Sequence, residues 1–218
     1  MPWRRSLLER CRLYVIVDRD ALAGRDPAAV AEQVIAGGAD LIQWRDKRAG
    51  EADFLETARR LRALTRERKV PLVINDRLEA ALECGADFLH VGHTDLPVSE
   101  ARRQAGGRLG VGRSTHSIEE ARQAVAEGAD YIGIGPVFAT PTKPDTPAVG
   151  LELVRAAARE ISVPWFAIGG IDREKIALVS SAGATRVAVV RAVTAAADPK
   201  AAAQALKSLL NPATGGMV

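Results

Sequence analysis

The chain has 218 residues, 47% of them hydrophobic and 26% charged, with a formal net charge of +3. That size and balance suit one domain with a well-filled core. So small a basic surplus, with no dense Lys/Arg tract carrying interleaved aromatics, gives no sign of a nucleic-acid partner. Cys11 and Cys84 lack metal-ligand spacing and read as reduced thiols of a cytoplasmic protein. The first residues lack the apolar stretch of a signal peptide, and no uncharged apolar run approaches the ~18 residues of a membrane span.

In chain order the predicted elements alternate. A short N-terminal helix precedes a strand at Leu13–Val17. Asp26-Pro27 then opens a helix with a side-chain cap and a proline at its first position. Strand 2 at Leu41–Arg45 leads into a long charged helix from about Glu51 to Arg68. Strand 3 at Leu72–Asn75 is followed by a short helix ending at Cys84. Strand 4 is Phe88–Val91, with a helix near Ser99–Ala105, and strand 5 is Leu109–Gly112. Ser117-Ile118-Glu119-Glu120 is a capping-box signature for the next helix. Strand 6 is Tyr131–Gly135. From Pro136 to Gly150 the chain then carries four prolines and three threonines without helical period, as a binding loop or lid does. Strand 7 is Trp165–Ile168, strand 8 is Val187–Val190, and a last helix covers about Pro199–Leu210. Residues 211–218 read as a flexible tail after one domain at 1–210.

A repeat turns this alternation into a fold. Gly38-Ala39-Asp40, Gly85-Ala86-Asp87 and Gly128-Ala129-Asp130 recur, with a looser Gly183-Ala184-Thr185 as a fourth copy. Each follows an Ala-rich helical stretch and precedes an apolar run. The glycine ends a helix in the left-handed conformation and the next two residues lead into a strand. One period holds two strand–helix units, so four periods predict a single-domain α/β (βα)8 TIM barrel.

The active end of such a barrel is the carboxyl end of its strands. Along strand 2, Leu41, Gln43, Arg45 and Lys47 share one face, and Ile42 and Trp44 share the other. If the apolar pair packs on helices, Gln43, Arg45 and Lys47 point inward and up. Buried without a partner, such cations would cost several kcal/mol, so they are expected to meet an anion at the mouth. The alternative is a solvated ion pair worth about 0–1 kcal/mol. Asp76 and Asp95 follow strands 3 and 4, within joint reach of one oxygen-seeking cation such as Mg²⁺. Each aspartate taken alone also serves as a helix cap. Ser114, after strand 5, offers a hydroxyl, and neither an Asp-His-Ser ordering nor a Gly-x-Ser-x-Gly elbow makes it a hydrolase nucleophile. His90, His93 and His116 lack zinc-ligand spacing. Thr140-Pro141-Thr142-Lys143 in the long loop adds two hydroxyls and a cation. Gly169-Gly170 after strand 7 lies where this fold binds phosphate.

Six segments in order resemble the thiamin phosphate synthase family, from about Leu13 to Val193. They are Gln43-Trp44-Arg45-Asp46-Lys47, Ile74-Asn75-Asp76-Arg77, the run from His90 to Pro97, Gly112-Arg113-Ser114-Thr115-His116, the run from Gly133 to Lys143, and Ala167-Ile168-Gly169-Gly170-Ile171. The resemblance implies a transferase that joins a hydroxymethylpyrimidine diphosphate to a (carboxy)thiazole phosphate, forming thiamin monophosphate and releasing diphosphate. It implies that Gln43, Arg45, Lys47, Asn75, Ser114 and Lys143 hold the pyrimidine diphosphate, with Arg45, Lys47, Lys143 and Ser114 at the chemistry. It implies Mg²⁺ on Asp76 and Asp95, and the thiazole phosphate on Thr140, Pro141, Thr142, Gly170, Val190 and Arg191. The family commonly has Gln where His93 stands and Ser where Arg191 stands. Arg191 either pairs with the thiazole phosphate or faces solvent. The expected partners are small phosphorylated molecules, with no nucleic acid and no membrane. Barrels of this type often pair, so a homodimer is compatible with the sequence.

The similar thiazole tautomerases use a histidine in the segment after strand 5, where His116 stands. The two aspartates, Arg45-Asp46-Lys47 and Thr142-Lys143 speak against that isomerase, which handles no diphosphate. A non-catalytic phosphate-ligand-binding paralogue would explain the glycine pair but not the paired carboxylates.

Overall fold

The computed structural model describes residues 2–92, 95–142 and 145–210, with only the backbone of Pro2 and Trp3. The predicted tail at 211–218 lies outside the described residues. The strands are β1 (Leu13–Asp18), β2 (Leu41–Arg45), β3 (Leu72–Asn75), β4 (Phe88–Val91), β5 (Gly110–Thr115), β6 (Tyr131–Ile134), β7 (Trp165–Ile168) and β8 (Val187–Val189). They pair in parallel and in sequence order, and β8 closes on β1, so the sheet is a barrel with no free edge. The helices are α1 (Pro2–Arg10), α2 (Pro27–Ala36), α3 (Glu51–Glu67), α4 (Leu78–Cys84), α5 (Val98–Ala105), α6 (Ile118–Ala126), α7 (Gly150–Glu160), α8 (Ile176–Ser181), α9 (Arg191–Thr194) and α10 (Pro199–Leu210). Among the described residues no helix is long and apolar enough to cross a membrane.

The helix caps form as the sequence implies. The Asp26 carboxylate accepts from the Ala29 amide at 3.1 Å, and Ser117 Oγ accepts from the Glu120 amide at 3.1 Å. Glu120 completes the box one residue early, accepting from the His116 amide at 2.8 Å. Strand 5 differs from its expected bounds. It continues through Ser114 to Thr115, so Ser114 stands on the strand rather than after it.

The Gly-Ala-Asp repeat does more than turn the chain. Gly38, Gly85, Gly128 and Gly183 have φ of 97°, 68°, 91° and 104°, the left-handed region that the turn requires. The aspartate that follows grips the amino end of the preceding strand. Asp40 accepts from the Leu13 amide at 2.8 Å, Asp87 from Leu72 at 2.9 Å and Asp130 from Val111 at 2.8 Å. A helix cation pairs with each: Lys207 with Asp40, Arg62 with Asp87 and Arg102 with Asp130. The looser fourth copy, with Thr185, supplies no carboxylate.

The apolar residues form two cores. Outward side chains such as Val15, Ile42, Ile74 and Val111 pack with the helices, whereas Tyr14, Leu41, Val73, Phe88, Tyr131 and Phe166 fill the barrel. The interior rings pack edge to face, with Tyr131 centred 5.9 Å from both Phe88 and Phe166. Glycines on β5 make the room. A Cβ at Gly110 would lie 2.4 Å from the Phe88 ring, and one at Gly112 would lie 2.1 Å from the Tyr131 ring. Helix α1 plugs the amino end with Leu8, which is fully buried, and Arg4 donates to the Gly107 carbonyl at 3.0 Å. Stacked rings and this plug leave open only the carboxyl end.

Candidate active site

At the carboxyl end two adjoining cavities open, of about 430 and 500 Å³. Arg45, Asn75, His90, Ser114 and His116 line both. The first runs towards β7 and β8, past Ile168, Gly169, Gly170, Val190 and Arg191, and is roofed by Thr140, Pro141 and Thr142. The second is bounded by Lys47, Asp76, Asp95 and Glu120.

The second strand behaves as its alternation requires. Ile42 and Trp44 pack outward, while Gln43 is buried inside the barrel, where its Nε2 donates to the Tyr14 hydroxyl. Arg45 pairs with Asp18, which ends β1 directly beside it in register. The Asp18 side chain is 3% exposed and that of Arg45 17%, so losing either partner would strand a buried charge. Lys47 meets Asp76 across the mouth. Its side chain is 49% exposed, so that pair is solvated and can be re-formed around an incoming anion.

Asp76 does not cap α4, whose first turn receives no side-chain cap bond. Its backbone is left-handed, at φ 59°, and its amide donates to the His90 carbonyl at 2.8 Å. Asn75 Nδ2 donates to its carboxylate at 2.6 Å. Burial pushes the Asp76 carboxyl above its ordinary range, and the hydrogen bond that its protonated form donates to the neighbouring Asp95 carboxylate raises it further against the pull of Lys47. Asp95 is steadied by the Gly92 amide at 2.7 Å. Two carboxyls thus stand together beside the second cavity, of the oxygen-donor type that suits a hard divalent cation. Among the described residues no cluster of three His, Cys, Asp or Glu exists. A cation here would therefore complete its shell with water and substrate oxygens.

The far end of the first cavity is shaped largely by backbone. Gly169 and Gly170 have φ of 98° and 63°, and the long loop closes down on them. Val137 donates to Ile168 at 2.8 Å, Phe138 to Gly169 at 3.0 Å, and Val149 to Pro136 at 2.8 Å, which ties the loop shut at its base. A Cβ at Gly170 would lie 2.7 Å from the Ala139 carbonyl. Thr140 Oγ1 accepts from the Thr142 amide at 3.3 Å. Arg191 begins α9 and stands exposed at the rim, donating to the Asp20 carbonyl at 3.4 Å. It lines the first cavity, as does Lys175. Lys143 and His93 lie outside the described residues.

From residue 13 to residue 193 the chain matches the family model described as thiamine monophosphate synthase. The chain belongs to the thiamine monophosphate synthase family. A thiamine-phosphate synthase of Chloroflexus aurantiacus is 49% identical over 92% of this chain and 93% of its own length. One from Mycolicibacterium smegmatis is 49% identical over 94% of this chain and 95% of its own. A solved thiamine phosphate pyrophosphorylase from Pyrococcus furiosus superposes with a TM-score of 0.86 at 35% identity, covering 96% of this chain and 98% of that one. A 3-hexulose-6-phosphate synthase, TM-score 0.65 at 22% identity, shares the fold alone. The chain is thus a transferase of the thiamine-phosphate synthase type acting on small phosphorylated substrates.

Of the residues singled out in the sequence, Gln43, Arg45, Lys47, Asn75, Asp76, Asp95, Ser114, Thr140, Pro141, Thr142, Gly170, Val190 and Arg191 all border the two cavities. Sequence reasoning passed over Asp18, whose signal is an acidic residue ending β1 opposite Arg45. It weighed His90 only as a zinc ligand. In the structure His90 Nε2 lies 2.9 Å from Ser114 Oγ and its Nδ1 lies 3.0 Å from the Tyr131 hydroxyl. Ser114 and His90 thus stand at nucleophile–base distance, but the third partner is a neutral phenol. A hydrolase triad would place a carboxylate there to hold imidazolium charge.

Proposed function

We propose that this synthase binds a pyrimidine diphosphate, with Mg²⁺, towards the cavity bounded by Lys47, Asp76 and Asp95 and the thiazole phosphate in the other, and that catalysis consists mainly of stabilising the departing diphosphate. The observation that carries this reading is the division of the mouth. Lys47 and the neighbouring Asp76 and Asp95 line one cavity, and the other ends at the Gly169-Gly170 backbone, the Thr140 and Thr142 hydroxyls, Arg191 and the Lys175–Asp172 pair, with Ser114 and His90 at the junction.

Asp76 and Asp95 would hold the ion, whose positive charge would neutralise phosphate oxygens. Arg45 and Lys47 line the same cavity, and Lys143 is assigned to the same charge from the sequence alone. At an effective dielectric of ~20, each cation about 4 Å from a phosphate oxygen contributes roughly 4 kcal/mol before desolvation. The bond from the pyrimidine methylene to the bridging oxygen breaks, and its electron pair leaves with the diphosphate. The electron-rich aminopyrimidine bears the resulting positive charge. The thiazole nitrogen then donates its lone pair to the methylene, which forms thiamin monophosphate. No general base is consumed. The pyrimidine would lie across the junction, held by Gln43 from the first cavity and by Asn75 from the wall the two share, while Gly170, Val190, Arg191 and the Thr140 and Thr142 hydroxyls hold the thiazole phosphate. The 136–150 loop shields the cation from water.

The reading calls for no nucleic-acid or membrane partner and fits the cytoplasm. Both cysteines are free, and burial pushes the Cys11 thiol up to about 12, leaving it unreactive. Supplying both substrates with Mg²⁺ should yield thiamin monophosphate and diphosphate in equal amounts. Diphosphate release without thiamin monophosphate would replace the synthase reading with that of a hydrolase.

A further inference from the structure

A continuous polar line crosses the barrel below the cavities. It passes from Gln43 on β2 to Tyr14 on β1, Tyr131 on β6, His90 on β4 and Ser114 on β5. Tyr14 and Tyr131 are 2% and 0% exposed, packed among Leu41, Phe88 and Phe166, where water cannot replace a missing partner. Their hydroxyls lie 3.2 Å apart. Burial raises the pKa of both phenols, which keeps them protonated.

Counting protons gives the line a direction. A phenol has one proton to donate, and a neutral imidazole has one donor and one acceptor nitrogen. Gln43 Nε2 donates to Tyr14, so the Tyr14 proton goes on to Tyr131. The Tyr131 proton must then go to His90 Nδ1, and His90 donates from Nε2 to Ser114 Oγ. With its oxygen already accepting, Ser114 has its own proton left for the cavity. A proton on Nδ1 would either leave the buried Tyr131 hydroxyl proton without an acceptor in the line or reverse the line against the Gln43 amide, donor to donor.

We propose that Tyr14 and Tyr131 are positioning residues of the synthase: the chain they complete holds His90 with its proton on Nε2 and aims the Ser114 hydroxyl proton at the departing diphosphate. This rests on the proposed placement of the diphosphate. The barrel interior then does more than fill space, because its buried phenols set the polarity of a group at the reacting centre. Neither phenol touches substrate in this account.

The test uses the full chain, labelled with ¹⁵N-histidine and free of ligand, with the His90 signals assigned by their loss in His90→Gln. In the wild type, NMR should show a protonated Nε2 and a bare Nδ1. Tyr131→Phe keeps the ring and its packing, and should leave His90 a mixture of tautomers. It should lower kcat about tenfold, one hydrogen bond's worth, and change KM less than twofold. Tyr14→Phe breaks the chain one link earlier and should move both readouts in the same direction. Gln43→Glu presents only acceptors to Tyr14 and should shift the His90 proton to Nδ1. A wild-type His90 protonated on Nδ1 would overturn the proposal. So would Tyr→Phe variants that fold but leave both the tautomer and kcat unchanged. The tautomer is read without substrate, so failure of the chain is distinguishable from failure of the synthase reading, which shows as wild-type protein that forms no thiamin monophosphate.

Discussion

The two ends of this barrel are made from the same parts, aspartates and cations, and differ in what the aspartates already hold. At the amino end Asp40, Asp87 and Asp130 each accept a strand amide and each pair with a helix cation. Nothing there asks for a ligand. At the carboxyl end Asp76 sits in a left-handed backbone conformation beside Asp95, and its carboxyl is pushed above its ordinary range. Strain and crowded like charges persist where the surrounding fold enforces them, and such places bind things. The contrast teaches that an aspartate's role is set by its unmet demand rather than by its presence.

The contrast can be broken from either end, and the largest effect is expected at the mouth. Asp95→Asn keeps an acceptor for the Gly92 amide but removes a charge from the carboxyl pair proposed to hold Mg²⁺. Synthase turnover should fall at least ~10³-fold, as for loss of a main electrostatic group, with Tm unchanged or raised. A Tm loss of more than about 5 °C would instead make Asp95 a structural residue like those at the base.

Next, Arg45→Met should cut kcat by about 10²-fold and also destabilise, because Asp18 is left buried and unpaired, at a cost of about 3–5 kcal/mol. Adding Asp18→Asn should restore Tm and leave kcat low. Recovery of both would show that Arg45 acts only through the fold.

At the base the signs reverse. Asp87→Ala leaves the Leu72 amide and Arg62 without their acceptor, costing about 1–3 kcal/mol, or roughly 2–12 °C in Tm. Turnover at 25 °C should stay within twofold, and a large kcat loss at intact Tm would contradict the division of labour. Smallest of all, Arg5→Ala removes the exposed pair with Glu9, worth about 0–1 kcal/mol. Thermal melts should barely register it, despite the added bond from Arg5 to the Ser162 carbonyl.

The barrel was legible because its signals are periodic and local. Gly-Ala-Asp marks every second strand, Asp26 and Ser117 cap helices next to themselves, and the alternation along β2 sorts Gln43 and Arg45 from Ile42 and Trp44. The cavity-lining positions were legible too, since they lie on or just beyond the carboxyl ends of the strands. What the sequence concealed depends on contacts between distant strands. Asp18 matters because β1 lies beside β2 in one register, and no spacing encodes that. Tyr14 and Tyr131 are 117 positions apart, and their hydroxyls meet inside a closed barrel where Gly112 on β5 leaves room for the Tyr131 ring. His90 reads as an ordinary strand histidine until the barrel closes and brings Ser114 to one of its nitrogens and Tyr131 to the other.

The most direct test of the account is calorimetric binding of inorganic diphosphate to the full chain, with and without Mg²⁺, beside the Asp76→Asn/Asp95→Asn variant. Diphosphate should bind the wild type tightly only when Mg²⁺ is present, and the double variant should lose that dependence. Equal affinity with and without the metal in the wild type would contradict the claim that the two carboxyls at the mouth exist to hold a cation for the leaving group.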